Sequence, residues 1–578
     1  MSTRRTLLLS AALCAAAILP VQAAPELGAR LIDAAHQDDA IAVTTLLKAH
    51  APVNTAQADG ATALSWAAAN SDLPMVKQLL AAGADPNRAN DYGVTPLNLA
   101  VTIGNVPVGK ALLDAHAKAD LATWTGETPL MFAARNGSVE LMRALVSHGA
   151  NVNGHETRHG QTALMWAAAA GKTDAVKFLI ANKVNVNALT PKVHVEAVSD
   201  GAPNGFTTTL PMEKGGLNAL MFAAGSQAGN NEIVDALIAA GTPVNKPAAD
   251  GTTPLLFSLF RHVNPTFIFP HDTEILGDPA MAEDLVKHGA NPSLADANGI
   301  TPLIAAAFNA VGGDHGAAHP HNAVGEAETK MLLANGADPN PALKDYMPLE
   351  SLGQDVRFPA RFMNISAFML DAAYEKTALV KLILASGRFK VNQTRAGGNT
   401  PLMDAVMVDS LPAVQVLVGA GADVNAVNPV TGQTAMHLAA IGPAGTGEIV
   451  KYLVDHGGRM DTKDTSGKTP VDVAKTDTGL NNKASIFGGS VVDALISVKN
   501  GKAVAPDKAV ISTAIMPPTY ALIMTRSRRE PPGVTGKDAL LALAAGKPIP
   551  VPRSQRAKGA VDPDDPAAQD QVALADDK

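Results

Sequence analysis

Apolar positions along this chain fall in short bursts separated by Gly, Asn and Asp. Val76, Leu79 and Leu80 stand at i, i+3 and i+4, one apolar stripe of a helix. Gly83 closes that stripe, and Ala-Asp-x-Asn follows with the chemistry of a turn. A second kind of burst precedes it, rich in small residues such as Ala133-Ala134 and Ala167-Ala168, which let neighbouring helices approach closely. Thr opens it as a helix cap, and Pro96, Pro129 or Pro254 suits the first turn. Gly137 and Gly171 end it. The pattern predicts pairs of short helices joined by tight turns.

The pairs recur in one frame. The string Thr-Pro-Leu or Thr-Ala-Leu begins at Thr62, Thr95, Thr128 and Thr162, with spacings of 33, 33 and 34. It returns at Asn218, Thr253, Thr301, Thr400, Thr434 and Thr469, with degenerate copies at Ala29 and Ala367. About 20 residues later comes Leu-Leu-x-x-Gly-Ala-x-x-Asn, clearest at Leu79 to Asn87, Leu145 to Asn153, Leu332 to Asn340 and Leu417 to Asn425. One such unit cannot bury its own apolar face, so stacking must supply the core.

With T-P-L-x-x-A-A and G-A-D/N-x-N in a 33-residue frame, the chain resembles the ankyrin repeat family. The resemblance covers Ala24 to about Lys502. It implies an all-α solenoid of about twelve helix–turn–helix repeats with hairpin fingers, interrupted by three insertions. At roughly 10 Å per stacked layer, twelve units span on the order of 120 Å.

Departures from the frame divide the chain. Residues 24–340 form a first block of about eight repeats, with insertions near 190–215, 261–279 and 311–324. The first insertion follows a second helix and should lengthen a finger. The other two fall between paired helices and should sit on one edge of the solenoid. Residues 341–364 are a divergent seam, and 365–502 a second block of about four repeats. The Pro-rich tail, 503–578, is expected to be mostly disordered, with Val510 to Met524 a candidate cap for the last repeat.

Composition sharpens this reading. The chain has 578 residues, too many for one compact core, which agrees with an extended array. Its net charge of −8 gives no reason to expect nucleic acid as a partner. Arg4-Arg5, the apolar stretch Leu7 to Leu19 and Val21-Gln22-Ala23 read as a cleavable export signal over residues 1–23. Thr3-Arg4-Arg5-Thr6 also resembles the twin-arginine motif, but the motif is short and the stretch rather hydrophobic, which favours the general secretion route. The lone cysteine, Cys14, lies inside the signal, which excludes a cysteine nucleophile from the mature chain. No later stretch is long and apolar enough to span a membrane. The expected location is extracytoplasmic: the periplasm, or outside the cell.

Candidate chemistry is sparse. No nucleophile elbow, phosphate loop or His-Glu-x-x-His occurs, and no enzyme activity is expected. His50, His116, His148, His288 and His456 fall in the last turn of second helices, where a His meets the negative end of the dipole. His437 occupies the T-P-L-H slot, a structural position in the family. Trp66, Phe132, Trp166, Phe222 and Phe257 share one register, read as a stacked core column. Four histidines in insertions are among those that the frame does not explain. His315, His319 and His321 lie in one insertion and His271 in another, a donor set for a transition metal or else polar loops. Tyr92 and Trp124 fall at finger tips, where exposed aromatic residues serve as interface anchors. Arg158 and His159 share the next tip. Arg135 and Asn136 end a first helix on the family's concave side.

The resemblance therefore implies a non-catalytic scaffold, a monomer binding another exported protein without a cofactor. The unexplained histidines keep a second reading open, a metal- or small-ligand-binding protein. Compartment alone suggests a third, an accessory to an exported enzyme.

Overall fold

The computed structural model describes residues 23–199, 208–226, 231–259, 279–297, 299–311, 321–341, 366–368, 376–394, 398–407, 409–441, 446–476, 498–499, 502–503, 536–545 and 547. The export signal, the second insertion, most of the third, the seam and most of the tail lie outside these residues. The chain forms two compact units, one of residues 1–196, 211–274 and 280–290, the other of 197–210, 275–279 and 291–578.

In the first unit the expected pairs follow one another. Ala63–Ala69 pairs with Leu73–Ala81, Pro96–Ile103 with Val106–Asp114, Pro129–Asn136 with Val139–Ser147, and Ala163–Ala169 with Thr173–Ala181. Ala23–His36 and Ala40–Lys48 precede them; Ala219–Ala224, Asn231–Ala239, Pro254–Leu259 and Pro279–Lys287 follow. First helices pack on first helices and second on second. From Ala63–Ala69 onwards, each first helix of this unit opens at a Thr or Asn of the frame. The Thr62 hydroxyl accepts from the Ser65 amide at 3.2 Å, and the Asn218 side chain from the Met221 amide at 3.0 Å. Leu79, Leu112, Leu145 and Leu179, at one position of the second helix, are fully buried. Each contributes about 2 kcal/mol or more by burial.

The Asn of the G-A-x-x-N string does more than make a turn. Asn54 Nδ2 donates to Gly83 O at 3.0 Å, and Asn54 Oδ1 accepts from the Asp85 amide at 2.8 Å. Asn87 clamps His116 O and the Lys118 amide in the same way. At these two turns the side chain thus ties the turn to the end of the next second helix. The fingers join through single backbone bonds, Asp91 N to Asp59 O, Trp124 N to Tyr92 O and Thr157 N to Thr125 O. Gly126, at φ +86, permits this approach, because a Cβ there would lie 2.5 Å from the Thr157 nitrogen. At the first insertion the finger is extended by two paired strands, Val193–Ser199 and Thr208–Lys214.

The second unit repeats the plan with Pro302–Val311 and His321–Ala334, Thr377–Ala385, Pro401–Met407 and Leu411–Gly419, Ala435–Ile441 and Thr446–Asp455, and Pro470–Thr476. A short strand pair matches Val498 with Ala503. A tail helix, Gly536–Ala544, packs on Ala435–Ile441, Thr446–Asp455 and Pro470–Thr476, burying Ala539 and Leu540. It covers the apolar face a terminal repeat would otherwise expose. Val510 to Met524, the stretch expected to do so, lies outside the described residues.

Candidate protein-binding surface

The fingers and first-helix ends of the regular repeats carry the sequence-predicted binding residues, in two clusters. At the tips, Tyr92 and Trp124 are 56% and 75% exposed, unusual for rings of this size. Their centroids lie 6.2 Å apart, edge to face, and the backbone bond from Trp124 N to Tyr92 O fixes the spacing. The two rings present a preformed apolar step to solvent.

The second cluster centres on Arg135. Its guanidinium lies 5.4 Å from the Phe132 ring centre and 5.1 Å from that of Trp166, one repeat on. The two rings meet edge to face at 5.7 Å. These aromatics were expected in the core. Trp66, Phe132, Trp166 and Phe222 are instead half-buried, and only Phe257 is buried. The shared register is real, but the position faces the open side of the first helix, so the rings form a surface ladder. Trp66 Nε1 donates to Gln57 at 3.1 Å, and the His36 ring lies against Trp66, tilted, with centroids 3.8 Å apart.

Asn136 is committed within the array. Its Nδ2 donates to Val101 O at 3.0 Å and Thr102 O at 2.8 Å, as Asn70 does to Ala35 O and His36 O. Ile103 holds the same frame position and is 54% exposed, an apolar residue the periodicity did not single out. The signal was its departure from Asn70 and Asn136 in alignment. Arg158 keeps its side chain exposed, and His159 is half-exposed. Their amides, with that of Gln161, donate to the Glu156 carboxylate at 2.6, 2.8 and 3.0 Å. Glu156 is buried and shapes this finger tip, a role not read from sequence. His271, His315 and His319 lie outside the described residues. His321 opens the helix His321–Ala334.

The structural histidines divide. His148, His288 and His456 place Nδ1 within 2.8 to 2.9 Å of a carbonyl one turn back, meeting the helix end as expected. His50 and His116 instead stand one residue further on, in left-handed backbone at φ +59 and +65. His437 is fully buried. Nδ1 accepts from the Thr434 amide at 3.1 Å, and Nε2 donates to Lys468 O at 3.1 Å.

Stacked helix pairs, clamped turns and finger hairpins with exposed aromatic tips define a helical-repeat binding array. The family model described as ankyrin repeats (3 copies) matches residues 31–123, 104–190 and 409–481. The matched segments are ankyrin repeats, which are in general protein-interaction modules. Among similar proteins are inversin of Gallus gallus, 36% identical over 17% of this chain and 8% of its own length, and ankyrin repeat and SAM domain-containing protein 6 of Rattus norvegicus, 39% identical over 16% and 10%. A putative ankyrin repeat protein, FPV031 of Fowlpox virus, is 29% identical over 21% of this chain and 37% of its own. The chain thus spans a tenth or less of the first two relatives. Among the described residues no helix is long and apolar enough to cross a membrane.

Proposed function

We propose that this protein is a non-catalytic scaffold, acting as a monomer outside the cytoplasm, that binds another exported protein. Contact is made through Tyr92 and Trp124 at the finger tips and Arg135 on its aromatic ladder. The observation that carries this reading is the exposed, edge-to-face Tyr92–Trp124 pair, held by a backbone bond. Preformed aromatic anchors lower the ordering cost of binding. Export rests on Arg4-Arg5, the apolar stretch and the small-residue cleavage site.

The test is capture of partners from the native extracytoplasmic fraction with the wild type and with Tyr92→Ala/Trp124→Ala/Arg135→Ala. All three side chains are surface groups, so the helical circular dichroism should be unchanged. A protein recovered by the wild type and lost with the triple variant supports the proposal. Equal recovery by both would remove this surface from consideration.

A further inference from the structure

The repeats offer an internal comparison at the junction between consecutive second helices. Two frame positions meet there, one from each helix. In the early array Thr44 and Gln78 occupy them and share a hydrogen bond of 2.9 Å. Later, Arg143 and Phe178 occupy them in a cation–π contact at 6.0 Å. Both pairs are complementary. Between Asn231–Ala239 and Pro279–Lys287 the same positions hold Asp235 and Asp284, two like charges.

His288 completes the group. Its Nδ1 lies 2.9 Å from the Asp284 carbonyl, which only accepts, so Nδ1 carries a proton and donates. In the neutral ring, Nε2 is then a bare acceptor. It faces Asp235 Oδ1 at 3.1 Å, a second acceptor. Two acceptors this close need a proton or a metal ion between them. A proton on Nε2 would satisfy Asp235 alone. Asp284 Oδ2 is buried and has no hydrogen-bond partner. The nearest lysine along the chain, Lys287, is bonded to Glu283 at 2.9 Å. Among the described residues neither aspartate pairs with Lys or Arg.

We propose that Asp235, Asp284 and His288 bind a divalent late transition-metal ion of the Zn²⁺ class across this junction. One donor atom from each residue lies within 4.8 Å of the others. Donors on a common Zn²⁺ at about 2.1 Å stand roughly 3.0 to 3.5 Å apart, so the His288–Asp235 separation already fits. Asp284 Oδ1 lies 3.9 Å from His288 Nδ1 and would have to turn towards Nε2 to complete the set. The Nδ1 bond to a carbonyl is the arrangement that orients a ligating imidazole. Two carboxylates and one imidazole favour Zn²⁺ over Mg²⁺ or Ca²⁺, which take oxygen donors. The ion would join two repeats where side-chain complementarity is missing.

The experiment is calorimetric titration of Zn²⁺ into the full, untagged, chelator-stripped chain. The background carries Gln at His271, His315, His319 and His321, so that the insertion histidines do not contribute. One Zn²⁺ per chain is expected, with a rise in the urea midpoint. His288→Gln and Asp284→Asn should each weaken binding by about 100-fold or more. Asp235→Asn, at an exposed position, repeats the test without touching a buried group. Absence of Zn²⁺ binding in the background chain would overturn the site. So would Zn²⁺ affinity that all three variants leave unchanged.

Discussion

The repeat opening at Thr62, with its neighbour at Thr95, and the pair opening at Thr434 and Thr469 solve the same problem with different chemistry. Each closes the start of a first helix with a box between the frame Thr and the residue three positions on. Ser65 and Asn98 complete the box in the early pair. His437 and Asp472 complete it in the late pair. His437 and Asn98 also reach the next repeat, through Lys468 O at 3.1 Å and Leu121 O at 3.4 Å. The geometry is shared, but only the late pair can gain or lose a proton in acid. A regular fold can therefore hold pH sensitivity in one stretch without changing its backbone plan.

The largest expected contrast comes from deletion of the completing side chain. His437→Ala removes a fully buried ring, the acceptor for the Thr434 amide and the bond to Lys468. The cost is about 3 kcal/mol, from lost burial and an unsatisfied amide. Ser65→Ala removes a long bond from the Thr62 amide, a hydroxyl contact to Thr62 and a small group, and costs about 1 kcal/mol or less. Urea unfolding with native-state hydrogen exchange reads both. Equal costs would show that the His slot is no more than a cap.

Acidification should produce a smaller contrast. Burial lowers the His437 ring below its ordinary 6.5, outweighing its bond to Lys468 and the charge of Asp464. The unfolded chain then binds the proton more readily than the folded one. Stability from His437 is complete above 6.5 and is lost as pH falls from there towards the depressed folded value. The Thr469 hydroxyl and amide hold Asp472 below its ordinary 3.8. Its contribution is complete above 3.8 and is lost as pH falls below that. Exchange protection over 434–476 should therefore weaken between pH 7 and 5, while that over 62–104 holds. His437→Asn, which copies Asn98, should flatten this dependence. A slope unchanged in the Asn variant would assign the acid response elsewhere.

Much of the comparison is legible in the sequence. The Thr frame located the helix starts, because a cap and its first turn are local events. The role of His437 followed from its slot. The Asn of the G-A-x-x-N string was read as turn chemistry, but its clamp on the following repeat needs two turns brought together in space. The aromatic register was correct and its burial was not, since period shows that residues align and not which side of the helix is covered. Asp235 and Asp284 were missed for a related reason. They lie in separate helices, with the insertion near 261–279 between them, and neither departs from the frame alone. Their conflict exists only as a pair.

The smallest effect tests how strictly that frame governs the second-helix ends. The early and late repeats close with Gly83 and Gly457, at φ +89 and +87. The repeat between Thr95 and Thr128 closes with His116 in the same left-handed backbone, at φ +65. A side chain there costs about 1 kcal/mol, because Cβ crowds the neighbouring carbonyl. Gly removes that strain but gives the unfolded chain more freedom, which takes back part of the gain. His116→Gly should raise stability by roughly 0.5 kcal/mol in urea unfolding. The bond from Asn87 Nδ2 to the residue-116 carbonyl involves only main chain on that side, so the clamp survives the change. A loss of stability instead would show that the His116 side chain has a stabilising contact, and that this repeat departs from its neighbours by design of its own.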